Sequence, residues 1–140
     1  MEAFTFGEPL EAAPELEALL TENGVVFQRT GDRFRFQFAA QGCRWQTVCD
    51  CMGSRALIYG IHPTPVRDRA AALACCSRLT GKAVQGGCFL TEERLVFRTE
   101  AELFEPCAAR ESLLRALEYN AAFMTAFWWE MAAGASGTQI

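Results

Sequence analysis

The residues of this 140-residue chain with the most chemical potential are seven cysteines, a single histidine and twelve arginines set against one lysine, Lys82. Cys49 and Cys51 stand two apart in an alternating segment, so on a strand they point the same way, and Cys43 shares their side. A structural zinc site takes four Cys or His ligands, commonly from paired knuckles. Here one Cys-x-Cys is accompanied by the adjacent pair Cys75-Cys76, by isolated Cys88 and Cys107, and by His62 alone. Neighbouring residues on a helix diverge by about 100° and chelate poorly together, so no metal and no cofactor is expected. A Cys49–Cys51 disulfide is disfavoured because a strand splays such a pair. The cysteines are read as reduced, buried small hydrophobes.

A thiol hydrolase would need His62 beside a thiolate, with a third group to orient it. His62 instead precedes Pro63 at a strand end, next to no nucleophile motif, and reads as structural. The carboxylates gather on the first helix, at Glu92-Glu93 and over residues 100–105, which are solvated positions and not a paired acid and base. Gly86-Gly87 falls in a strand region and marks a bulge or a close backbone approach, not a phosphate loop. The expectation is a protein without catalytic residues.

Two constellations point to binding. Arg33 and Arg35 with Gln37, Arg44 with Gln46 and Asp50, and Arg94 with Arg98 fall on the polar side of alternating segments. An arginine-lined sheet face can hold an acidic peptide or a phosphate-bearing ligand. The competing reading is a solvated face laced with cross-strand pairs. Nucleic acid is not expected, because no aromatic residues interleave these arginines in the sequence. Phe123, Phe127, Trp128 and Trp129 crowd one helix end; one small core cannot take all four, so at least one is expected to meet a second chain or a client.

The elements that must position these residues follow from periodicity. Leu16, Leu19 and Leu20 recur at helical spacing, and Asn23-Gly24 ends that helix. Strict alternation over Val25–Thr30, Arg33–Phe38 and Cys43–Met52, then an apolar run over Arg55–Ile61, predicts four strands in an antiparallel meander. A helix is expected from about Pro65 to Leu79, with Thr64 as N-cap, Gly81 as stop, and Val66, Ala70, Leu73, Ala74 and Leu79 buried. Strands at about Val84–Leu90 and Arg94–Glu100 follow, and one long helix from about Pro106 to Ala132 closes the chain. The fold class is α+β: an antiparallel sheet of five to six strands flanked by three helices, in the order α-β-β-β-β-α-β-β-α. Residues 1–133 are read as a single domain and 134–140 as a flexible tail.

A net charge of −4 gives no general attraction to nucleic acid or anionic membrane, and no apolar run is long enough to span a bilayer. The start, with Glu2 and Glu8 and no basic or apolar run, carries no secretory pattern, so a cytoplasmic location is expected. With this order, Leu79-Thr80-Gly81-Lys82 leading into paired strands, and a last helix carrying Leu117, Asn120, Phe123, Met124 and Trp128, the chain resembles the YbjN family, whose fold is that of type III secretion chaperones. The resemblance implies a non-catalytic, protein-binding domain, often homodimeric, with a regulatory role or one in holding a polypeptide client. The alternative is a small-anion or nucleotide-sensing domain using the arginine face.

Overall fold

The computed structural model describes residues 10–138. The amino-terminal stretch read for a secretory pattern lies outside them, as do the last two residues of the expected tail. Helix α1 (Ala12–Glu22) leads into strands β1 (Phe27–Thr30), β2 (Arg33–Ala40), β3 (Cys43–Met52) and β4 (Arg55–Ile61). Helix α2 (Arg69–Lys82), strands β5 (Gly87–Leu90) and β6 (Leu95–Glu102), a 3-10 turn at Pro106–Ala108, and helices α3 (Ala109–Ala126) and α4 (Trp128–Ser136) complete the order. The strands form one six-stranded sheet in the order β1-β2-β3-β4-β6-β5, antiparallel throughout.

The meander follows from turn chemistry. The pairs Thr30↔Arg33, Ala40↔Cys43 and Met52↔Arg55 leave two-residue loops at each reversal. At the second, Gln41 and Gly42 both take positive φ (52° and 77°), the twist that matches a hairpin. β4 then pairs not with the next strand but with β6, through Ile58↔Thr99 and Tyr59↔Arg98, leaving β5 as the far edge. Gly86 brings the chain into β5 at φ 75°, where any Cβ would run into the Arg98 carbonyl. The close backbone approach expected for the Gly86-Gly87 pair is therefore present.

Alternation assigns one side of the sheet to the core. Phe34, Phe36, Cys49, Cys51, Ala56 and Ile58 pack with Leu16, Leu19 and Leu20 of α1 and Leu113 and Leu117 of α3. Trp45, Leu95 and Phe97 pack with Cys75, Cys76 and Leu79 of α2, Phe123 and Met124 of α3, and Met131 of α4. Between these clusters lies a polar clasp. Asn120 Nδ2 donates to the Ile58 and Phe97 carbonyls (3.1 and 3.0 Å), while Thr99 Oγ1 donates to the Ala116 carbonyl at 3.0 Å. Gly60 makes room, since a Cβ there would sit 2.5 Å from Asn120 Oδ1. We expect Asn120→Ala to cost about 2 kcal/mol, from lost buried hydrogen bonds and the space left behind. Urea unfolding checks this, and a midpoint unchanged from the parent would refute the clasp.

Three expectations for α2 need correction. The α2 N-cap is Asp68 and not Thr64, for its Oδ1 accepts from the Ala71 N–H at 3.0 Å. The preceding residues stay out of the helix because Val66, Arg67 and Asp68 donate their backbone N–H groups to Glu93 and Ala135. Gly81 lies inside α2 and does not end it. The buried face of α2 is Ala72, Cys75, Cys76 and Leu79, whereas Leu73 is 49% exposed and Ala70 and Ala74 face solvent. The helix is wedged between α4 and β5, and two partners set a phase that no single apolar stripe records.

The closing helix is two helices. Phe127 leaves helical geometry (φ −112°, ψ 20°), ending α3 and starting α4, so the described residues carry four α-helices where three were expected. Residues 134–136, expected to lie in the tail, belong to α4. α4 runs to Ser136, and Gly134 is buried so close to α2 that a Cβ there would lie 2.5 Å from Cys75 Cβ. No helix among the described residues is long and apolar enough to cross a membrane.

Candidate functional site

Residues of the opposite strand parity belong to neither core cluster, and among the described residues no helix covers them. The register lays them out in transverse rows. One row reads Gln28, Arg35, Val48, Tyr59, Arg98 across β1, β2, β3, β4 and β6. The row on one side reads Thr30, Arg33, Asp50, Leu57, Glu100; the row on the other reads Gln37, Gln46, Ile61, Val96, Phe89.

The five arginines singled out from the sequence are separated by this arrangement. Arg33 is neutralised by Asp50, directly opposite on β3, through two hydrogen bonds of 2.7 and 3.1 Å, and that pairing raises the Arg33 pKa. Arg94 is tied to its own turn, with Nη1 donating to the Glu93 carbonyl at 3.0 Å and the Glu93 carboxylate 3.8 Å away. Arg44 stands on β3 beyond the end of β4 pairing, four residues from Val48 and therefore about 13 Å along the strand. Arg35 and Arg98 remain. They share a row, both are exposed, and among the described residues no carboxylate lies within ion-pair distance of either. Three strand spacings, about 14 Å, separate their backbones.

Between them the surface is apolar. Val48, Leu57 and Val96 are nearly buried by their neighbours, and Tyr59 meets Phe89 edge-on at 6.0 Å between ring centroids. A shallow hollow of about 380 Å³ is lined by Arg33, Arg35, Val48, Tyr59, Ile61 and Phe89 among others. The expectation that no aromatic side chain interleaves the arginines is thereby corrected. Tyr59 is far from both arginines in sequence, and only strand pairing sets it next to Arg98 and two strands from Arg35, with Phe89 edge-on to it. The apolar residues at alternate positions of β4 were the available signal, but a run apolar on both faces does not say which side is covered.

Arg55, which the sequence reading did not select, closes the other end of this face. It pairs with Glu100 and, at 3.4 Å, with Glu102 on β6. The charged end is thus self-compensated, and among the described residues the middle row holds two cations without an ion-pair partner, Arg35 and Arg98.

The four aromatic residues of the carboxy-terminal helices divide. Phe123 is 4% exposed and stacks on Phe97, centroids 3.7 Å apart and rings within 5° of parallel. Phe127 leans on Phe123 at 4.5 Å beneath the Lys82 ammonium. Trp128 packs on Trp45 and lies 4.2 Å from the His62 ring. Trp129 is 74% exposed.

His62 is buried and serves the helix break. Its Nδ1 accepts from the Thr64 N–H at 3.2 Å, which leaves Nε2–H to donate to the Trp128 carbonyl at 3.1 Å. Burial drives its pKa down to about 4, with the Trp128 bond opposing that shift only in part. The thiols are likewise mostly structural: burial holds Cys49 well above the usual thiol range and Cys51 up at about 11. Cys75 donates to the Glu130 carbonyl at 3.5 Å.

No family model matches the sequence, and no curated protein matches it. Among solved structures, the crystal structure of YbjN from E. coli, provisionally assigned as a transcription regulator, superposes with a TM-score of 0.56. The match covers 84% of this chain and 91% of that one at 12% sequence identity. At that identity the likeness is one of fold, and the fold of this chain is YbjN-like.

Proposed function

We propose that this protein is a non-enzymatic binding domain of regulatory or chaperone-like character, holding an acidic, extended polypeptide segment across the uncovered face of its sheet. The observation that carries the reading is the row Arg35, Val48, Tyr59, Arg98, an apolar strip with an uncompensated cation at each end. Two carboxylates four residues apart in an extended segment span about 13 Å, which matches the separation of those cations. A single small anion does not bridge that distance. Charge also argues against two copies stacking through this face, because like charges would be brought together. The reading includes a homodimer built on the helical side, where Trp129 is exposed.

Synthetic peptides with two glutamates four residues apart and apolar residues between them test the face by fluorescence anisotropy. The expected result is salt-sensitive binding weakened at least about tenfold by Arg35→Glu with Arg98→Glu, consistent with loss of two charge-assisted contacts. Equal binding by the parent and the double variant would sink the reading.

Tyr59 between the two arginines favours a second reading, a nucleotide-sensing face with the base on Tyr59 and the phosphates on Arg98. A nucleoside triphosphate that raises the melting temperature of the parent but not of Arg98→Ala would support it, and the absence of any shift would remove it.

A further inference from the structure

The thiols of Cys76 and Cys88 belong to elements the chain brings together only by folding: Cys76 to α2, Cys88 to the edge strand β5. Thr80, one turn after Cys76 on the same face of α2, clamps the Cys88 backbone. The Cys88 N–H donates to Thr80 Oγ1 at 2.9 Å, and that hydroxyl lies 3.3 Å from the Cys88 carbonyl. The clamp holds strand against helix and sets the two thiols in one core cluster, where each acts on the ionisation of the other. Both residues pack in the same core cluster, Cys76 7% exposed and Cys88 partly exposed at its edge. The adjacent Cys75 is turned away, with its thiol on the Glu130 carbonyl of α4.

We infer that Cys76 and Cys88 are a modification site, a dithiol that closes to a disulfide bridging α2 and β5 when the protein meets a hydroperoxide. The other thiols lack this arrangement. Cys49 and Cys51 neighbour each other on one strand, whose splay opposes a bridge, and Cys107 is exposed. The order of events follows from the pair. The neighbouring Cys88 favours ionisation of Cys76, while Cys76 and burial hold back that of Cys88, and the thiolate is the nucleophile. The Cys76 sulfur attacks one peroxide oxygen, the O–O bond breaks, and a sulfenic acid forms as the peroxide is reduced to water or an alcohol. The Cys88 sulfur then attacks the sulfenic sulfur. The S–S bond forms, the S–O bond breaks, and the hydroxyl leaves as water with the Cys88 proton. Two thiols and one peroxide thus give one disulfide, with reduction of the peroxide as the counterpart.

The test is hydrogen peroxide added to the purified full chain, followed by thiol blocking, intact mass and peptide mapping without reduction. The expected product takes up two fewer blocking groups than the untreated protein, carries a cross-link between the peptide holding Cys75-Cys76 and the one holding Cys88, and reverts with dithiothreitol. Cys75→Ser keeps the cross-link, whereas Cys76→Ser and Cys88→Ser each lose it while retaining the parent's circular dichroism. A cross-link that survives Cys76→Ser, or oxidation at Cys107 with no cross-link in the parent, overturns the proposal. A variant keeping only Cys76 and Cys88, the other five changed to Ser, must still close.

Discussion

Lowering the pH from 7 to 5 is expected to remove about 2 kcal/mol of stability through His62 alone, a loss that His62→Gln abolishes. In the unfolded chain a histidine protonates near pH 6.5. In the fold His62 stays neutral until about pH 4, because burial disfavours the charged ring. Above pH 6.5 both states are neutral and the group contributes no pH dependence. Between 6.5 and 4 the unfolded chain binds a proton that the folded one refuses, so stability falls as pH falls and levels off below the folded value. The structural counterpart is the Thr64 N–H aimed at Nδ1, a contact that a proton on that nitrogen turns into donor against donor. Denaturant unfolding of parent and variant at pH 7, 6 and 5 checks this. The informative quantity is the difference between their slopes, since carboxylates titrate in both. An imidazole resonance titrating near pH 6.5 in the folded protein would refute it.

Removal of Phe123 should unfold far more than removal of Trp129, although the sequence puts both in one aromatic cluster. Phe123→Ala is expected to cost about 3–5 kcal/mol and lower the melting temperature by roughly 10 °C or more. The ring lies flat on Phe97, against Phe127, in the centre of the second core cluster. Trp129→Ala is expected to stay within about 0.5 kcal/mol of the parent, as is usual for an exposed side chain. Its effect should appear in association: if the homodimer uses α4, light scattering at micromolar concentration shows a lower mass for Trp129→Ala than for the parent. A parent that is itself monomeric removes the dimer from the proposed function and leaves the sheet face intact.

Much of the architecture was legible because it is local. Arg33–Phe38 alternates without exception, so its phenylalanines and arginines had to part to opposite faces, and the short glycine-bearing turns left consecutive strands no partner but each other. The closing aromatic run announced that more than one surface was being buried, since no single helix face could hold it. Read from the residues alone, that much follows from side-chain period and turn stereochemistry, both properties of a few adjacent positions.

What folding alone decided are the relations between segments distant along the chain. β4 pairs with β6, so Tyr59 lies beside Arg98, and β2 pairs with β3, so Asp50 removes Arg33 from the set of available cations. The break at Phe127 turns Trp128 onto His62 and Trp45 and sets α4 against α2, which in turn fixes the phase at which α2 buries its cysteines. Local propensity is blind to these choices. Register between remote strands and the packing angle of one helix on another are set by the collective fit of side chains in the core, and charge pairing on the surface follows from that register. The arginine face was therefore visible in the sequence as a composition, and became a site with two available cations and an apolar strip only when the sheet assembled.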